Sequence, residues 1–137
     1  MARERNGVTV IFYTKNKRVL MGLRSKECYE PETWYFVAGG KKESEDIRDC
    51  ALRESIEEVG YMLDKDNLVF FEKNTSAKLK INNDFFLYFL EDEFEPELNW
   101  EHEQFKWFPI DELPDPLHPV LQDINFLSRL KNKIKNS

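Results

Sequence analysis

The sequence predicts an α/β chain: an α/β/α sandwich built around a mixed β-sheet. Three observations point there. Short β-branched and aromatic runs recur along most of the chain, a capped helical segment interrupts them after a Gly-Gly pair, and a second amphipathic segment closes the C-terminal end. At 137 residues, with 41% hydrophobic and 14% aromatic residues, the chain is sized for one domain with one core, spanning 1–137.

Val8 to Tyr13 and Val19 to Leu23 read as two strands, with Thr14-Lys15-Asn16-Lys17 as the hairpin turn between them. Thr33 to Ala38 reads as a third strand that ends at Gly39-Gly40. A helix is expected from about Asp46 to Val59. Ser44 is its expected N-cap, Glu45 and Asp46 suit the positive end of its dipole, and Gly60 is its C-terminal stop. Leu68 to Phe71, Ala77 to Ile81 and Phe85 to Leu90 are further strands, with Asn82-Asn83-Asp84 as a turn. The unbroken run from Phe85 to Leu90 suits a strand covered on both faces. Phe105 to Pro109 is a last short strand. A C-terminal helix then starts near Pro119, with Val120, Ile124 and Leu127 as its apolar stripe and Leu121 and Leu130 alongside.

The formal charge of −6 disfavours stable binding to nucleic acid or to an anionic membrane. A phosphorylated small molecule remains compatible if cations lie between it and the protein. Cys28 and Cys50 form no metal-ligand spacing and read as reduced thiols. The apolar run near the N-terminus is too short for a signal peptide or a membrane span, so a cytoplasmic protein is expected.

The chemistry concentrates in one segment. Glu54, Glu57 and Glu58 stand at i, i+3 and i+4, on one side of the expected helix. Glu-rich helices usually present a solvated face, but three carboxylates this close repel one another unless cations join them. Oxygen donors of this kind suit Mg²⁺ or Mn²⁺, which keep several waters and bridge to phosphate oxygens. Ala51, Leu52, Ile56 and Val59 occupy the opposite arc and are expected to pack on the sheet. Gly39-Gly40 permits close backbone approach, and a freed carbonyl there would add a neutral ligand.

Strand, Gly-Gly, loop, capped helix, Arg53-Glu54, Glu57-Glu58 and Gly60 together resemble the Nudix box of the MutT-like hydrolases. That box reads Gly, five residues, Glu, seven residues, then Arg-Glu-U-x-Glu-Glu-x-Gly-U, with U apolar. Counted from Gly39, Glu45, Arg53, Glu54, Glu57, Glu58 and Gly60 all fall in place. Ser55 and Tyr61 stand where the family usually has aliphatic residues. The loop Gly-Gly-Lys-Lys-Glu-Ser-Glu is one residue shorter than the common Gly-Gly-x-x-Glu-x-Gly-Glu and lacks its later Gly.

The resemblance implies the Nudix fold and a Mg²⁺-dependent pyrophosphohydrolase (Mn²⁺ as substitute) that converts a nucleoside-diphosphate-linked substrate, NDP-X, to NMP and P-X. It implies metal ligation by Gly39, Glu54, Glu57 and Glu58, with Glu54 also the base for the attacking water and Arg53 and Glu45 holding loop and helix in register. A further Glu from a distant loop is expected in Trp100-Glu101-His102-Glu103, Glu101 before Glu103. His102 and His118 read as surface or packing residues. Arg24, Lys41 and Lys78 are candidate phosphate contacts and Trp34 a candidate base-stacking ring. The favoured substrate is a nucleoside triphosphate, oxidised or not. A dinucleoside polyphosphate, a nucleotide sugar and a non-catalytic nucleotide-binding module are the alternatives, and oligomeric state is not legible.

Overall fold

The computed structural model describes residues 5–28, 30–76 and 81–137. Its elements are β1 (Arg5–Thr14), β2 (Arg18–Arg24), β3 (Trp34–Tyr35), β4 (Val37–Gly40), α1 (Ile47–Val59), β5 (Val69–Ser76), β6 (Ile81–Leu90), β7 (His102–Pro109) and α2 (Ile124–Lys135). The strands form one seven-stranded mixed sheet in the order β3-β2-β1-β6-β5, with β4 added on β1 and β7 on β2. The β1–β6 pair is parallel; every other pair is antiparallel. None of the described helices is long and apolar enough to cross a membrane.

Alternation along β1 distributes the core between the two faces of the sheet. Val8, Val10 and Phe12 pack with Cys50, Ala51 and Val59 of α1. Ile11 and Tyr13 pack on the other side with Phe126, Leu130 and Ile134 of α2. β6 alternates in the same way, with Phe86 and Tyr88 towards α1 and Phe85 and Leu87 towards α2. The expected doubly covered strand is therefore present.

Several expectations need correction. Asn82, Asn83 and Asp84 do not form a turn; they are paired within β6 to β1 on one side and β5 on the other. Backbone pairing on both edges outweighs the turn preference of Asn and Asp. The strand expected over 77–81 lies mostly outside the described residues, only Ile81 falling in β6. The single strand expected over 33–38 divides at Phe36, because β3 pairs with β2 while β4 pairs with β1. The final strand begins earlier than Phe105, at His102.

At α1 the N-cap is Asp46, whose side chain accepts from the Arg48 N–H, and not Ser44. At the C-terminal end, Pro119–Gln122 forms a 3₁₀ turn capped by His118, and α2 restarts after Asp123, which accepts from the Asn125 and Phe126 N–H groups. That restart shifts the helical phase. The buried stripe becomes Phe126, Leu130 and Ile134, while Ile124 is 77% exposed.

Leu130→Ala should therefore cost about 2–5 kcal/mol, whereas Ile124→Ala should stay within about 0.5 kcal/mol of the parent. Urea unfolding of both variants measures the phase directly. Equal losses would mean that α2 packs through the other stripe.

Candidate active site

α1 buries Cys50, Ala51, Glu54, Ser55, Glu58 and Val59. Two of the three clustered glutamates thus lie on the packed face, and Ile56, expected there, is 43% exposed. The helix is rotated so that Glu54 and Glu58 sit against β4, where Ala38 N–H bonds the Glu58 carboxyl. Gly39 makes this approach feasible: any Cβ at that position would overlap the Glu54 carboxylate.

Arg53 organises the cluster. Its Nε and Nη2 donate to the two oxygens of Glu45 at 2.9 and 3.0 Å. Its Nη1 donates to Glu54 Oε1 at 2.8 Å and to Glu57 Oε2 at 3.2 Å, and its Nη2 also reaches the Gly40 carbonyl at 2.8 Å. The Arg53 fork and the Lys42 N–H hold the Glu45 carboxyl down at about 2. Glu45 in turn raises Arg53 above its ordinary value.

Glu54 and Glu58 behave oppositely. Burial raises Glu54, although the Glu58 hydrogen bond and Arg53 partly offset it. Glu58 rises well above the usual carboxyl range, first through burial and then through Glu54 and Glu101. Its Oε2 is buried without a hydrogen-bond partner among the described residues. His102 Nε2 lies 3.6 Å from Glu58 Oε1, beyond hydrogen-bond range. Burial lowers His102 to about 4, so the imidazole faces Glu58 neutral rather than as an ion-pair partner.

The loop that brings Glu101 here is tied to the end of α1. Asn99 Nδ2 donates to the Glu57 carbonyl at 3.0 Å, the Glu97 N–H to the Val59 carbonyl at 2.9 Å, and the Glu101 N–H to Asn99 Oδ1 at 3.0 Å. Glu103 is exposed, and Glu101 is the residue of this loop whose charge raises Glu58. No three described carboxylate, His or Cys groups are drawn together into a metal cage. The donor set nonetheless fits a hard divalent cation: carboxylate oxygens crowded at one place, one of them buried without a partner, all reachable from solvent through half-exposed Glu57.

The remaining candidates are dispersed. Arg24 lies close enough for its charge to influence Tyr35, His102 and His118. Lys41 sits on the loop, its Nζ donating to the Lys42 carbonyl at 3.2 Å. Lys78 lies outside the described residues. Trp34 is only 7% exposed and packs edge-on against Phe108 at 5.0 Å, so its ring is committed to the core. His118 is half-buried, 4.8 Å from the Tyr35 ring, and caps the turn before α2 through Nδ1.

Both departures from the box have structural uses. Ser55 Oγ donates to the Tyr61 carbonyl at 2.6 Å, closing the helix with left-handed Gly60 (φ 72°), and Tyr61 stacks on Phe94 at 4.4 Å. In the short loop the Glu45 N–H bonds the Lys42 carbonyl at 3.1 Å, and Ser44 takes φ 68° at the third turn position. That left-handed position is where a Gly is expected.

A family model for the NUDIX domain matches residues 3–128. A search of curated proteins found no match. Among solved structures, the chain is similar to a MutT Nudix hydrolase from Burkholderia pseudomallei: TM-score 0.73, 22% identity, 94% of this chain and 99% of that one. An Ap4A hydrolase from C. elegans gives a TM-score of 0.72 and 21% identity over 97% and 99% of the two chains. A MutT/nudix family protein from Enterococcus faecalis gives 0.70 and 20%, over 79% of this chain and 44% of that longer one. These structural likenesses are ones of fold.

Two outcomes test the local physics. Replacing Ser44 by Gly relieves a left-handed L-residue that costs about 1–2 kcal/mol but adds unfolded-state freedom, so a net gain of up to about 1 kcal/mol is expected in urea titration. A loss would mean that Ser44 is held by more than its backbone. In metal-free protein Glu58→Gln should raise Tm at neutral pH. Because the folded Glu58 carboxyl lies above its ordinary 4.5, its charge opposes folding once pH rises through the folded value. The advantage of Gln should therefore vanish below the unfolded value, near pH 4, where both states hold the proton.

Proposed function

Because the chain belongs to the Nudix hydrolase family, we propose that it is a divalent-cation-dependent pyrophosphohydrolase acting on a small nucleotide, NDP-X, with Mg²⁺ as the ordinary ion and Mn²⁺ as a substitute. The observation that carries this reading is the unpartnered Glu58 oxygen beside Glu54 on the packed face of α1. Burying two carboxylates side by side is unfavourable for a structural element, and a bound cation turns it into an attraction.

Glu54, Glu57, Glu58 and Glu101, with the Gly39 carbonyl as a neutral ligand, would hold the ion. Bound there, it would offset phosphate charge and acidify a water molecule. Arg53 fixes the Glu54 carboxylate by one oxygen. Burial raises the Glu54 carboxyl, which makes it a stronger base than a surface glutamate. It takes a proton from water as the water oxygen attacks one phosphorus. The bridging P–O bond breaks, and the departing phosphate leaves with that electron pair, giving NMP and P-X. Arg24, whose charge also reaches Tyr35, would supply positive charge to the phosphate chain. Among the substrates considered, a nucleoside triphosphate is favoured for a chain of this size. The similarity to an Ap4A hydrolase, beside that to a MutT protein, keeps a dinucleoside polyphosphate as the second reading.

The test is phosphate and pyrophosphate release from nucleoside triphosphates, dinucleoside polyphosphates and nucleotide sugars with and without Mg²⁺. Turnover should require the metal, and Glu54→Gln should lower kcat by about 10²–10⁴ with the fold intact. Full activity in that variant, or silence of the folded, metal-saturated parent across the panel, would reject the hydrolase reading.

A further inference from the structure

The last turn of α1 leaves carbonyls without partners inside the helix, as every helix end does. Those of Ser55 and Ile56 accept from the Tyr61 and Gly60 N–H groups. Two others turn to the loop before β7: Val59 accepts from the Glu97 N–H at 2.9 Å, and Glu57 accepts from Asn99 Nδ2 at 3.0 Å.

Capping the helix would need only the donor of the Asn99 amide, yet both ends of it are bonded. Its Oδ1 accepts the Glu101 N–H at 3.0 Å, two residues ahead in the manner of an Asx-turn. The amide is oriented by these partners: the Glu57 carbonyl must face its N–H groups, and the Glu101 N–H must face its oxygen. On the far side, the Glu101 carbonyl accepts the Ser25 N–H at 2.9 Å and the Cys28 thiol at 3.3 Å. Both backbone groups of Glu101 are thus held, one from α1 through Asn99 and one from the turn that follows β2. Packing adds little at this segment, because Leu98 and Trp100, on either side of Asn99, are 55% and 69% exposed. Hydrogen bonds therefore set where Glu101 stands relative to the helix.

We propose that Asn99 is a positioning residue of the cation site: its one amide fixes the separation between Glu101 and the helix carboxylates Glu54, Glu57 and Glu58, so that they face a single ion together. The inference rests on the pyrophosphohydrolase reading and deepens it by naming what joins the distant ligand to the others. The charge of Glu101 already bears on Glu58, so loop and helix face one site. A small divalent cation demands a regular shell of oxygens, and groups that orient its ligands from behind therefore govern affinity.

The test is Mn²⁺ binding to the nucleotide-free protein, followed by electron paramagnetic resonance, with circular dichroism to confirm that each variant is folded. Asn99→Ala should weaken binding by roughly tenfold or more. Glu101→Gln should also weaken it, and adding Asn99→Ala to Glu101→Gln should change affinity by less than about twofold, because the ligand to be positioned is gone. Equal losses from Asn99→Ala in both backgrounds would mean that Asn99 acts only through the helix end, and would overturn the proposal. Should Asn99→Ala not fold, Asn99→Asp keeps the acceptor for Glu101 and sets an oxygen against the Glu57 carbonyl. Its added negative charge alone would tighten Mn²⁺ binding, whereas lost positioning weakens it. Weaker binding is expected, and unchanged or tighter binding would count against the proposal decisively. Mn²⁺ bound by the parent but unaffected by Asn99→Ala or by Glu101→Gln would reject the positioning role and leave the hydrolase reading standing. A folded parent that binds no Mn²⁺ would reject the cation site itself.

Discussion

Everything in the carboxylate cluster depends on one guanidinium. α1 has to press Glu54 and Glu58 against β4, because the same turns of helix carry Ala51 and Val59 into the core. Two carboxylates four residues apart on a buried face repel each other and resist desolvation. Arg53 stands beside them with every reachable direction used: Glu45 on the loop, Glu54 and Glu57 on the helix, and the Gly40 carbonyl on the strand. One planar fork thus ties strand, loop and helix together, a task suited to Arg and poorly suited to Lys. It satisfies Glu45 fully, Glu54 on one oxygen, and Glu58 not at all. The unequal distribution is what separates a fully paired carboxylate from a pair left partly unsatisfied.

The shortened loop is explained by the same requirement. Arg53 can reach Glu45 only if the chain turns sharply between Gly40 and Asp46. The turn closes with a Lys42–Glu45 hydrogen bond and also sends the Lys42 N–H to the Glu45 carboxylate. Ser44 accepts a left-handed backbone to make that possible. The loop is one residue shorter than the common pattern, and its turn still brings Glu45 within reach of Arg53.

The parts of this arrangement that could be read from sequence are those with short-range grammar. Gly60 as a helix stop, the doubly covered β6 run and the carboxylate spacing all express local periodicity or conformational preference. What could not be read depends on partners far along the chain. Asn82-Asn83-Asp84 has the composition of a turn, and only pairing with β1 and β5 makes it strand. The phase of α2 depends on a 3₁₀ turn that consumes Pro119–Gln122 before the helix restarts. His102 and Trp34 show the same limit for side chains: the histidine is carried inward against Glu58, while the tryptophan is spent on Phe108. The rotation of α1 that buries Glu54 and Glu58 with the apolar residues is likewise invisible to a helical wheel, which assigns charge to solvent by default.

The two faces of the sheet divide the work, and β4 is where they meet. Its register with β1 runs from Val37 to Gly40, so Val37 packs under α1 while Gly39 lets the Glu54 carboxylate approach the strand. β2 leaves β1 after a single described pair, Tyr13 with Val19, and β4 takes over that edge further along. β4 thereby keeps the β1 edge paired from Gly7 to Val10. Glycine at 39 leaves room for the Glu54 carboxylate, at the conformational cost that glycine carries in a strand. No such need exists at Gly40, where a Cβ would meet nothing within 4 Å. The same short strand thus pairs the sheet edge and, at Gly39, gives up a side chain so that α1 can seat Glu54.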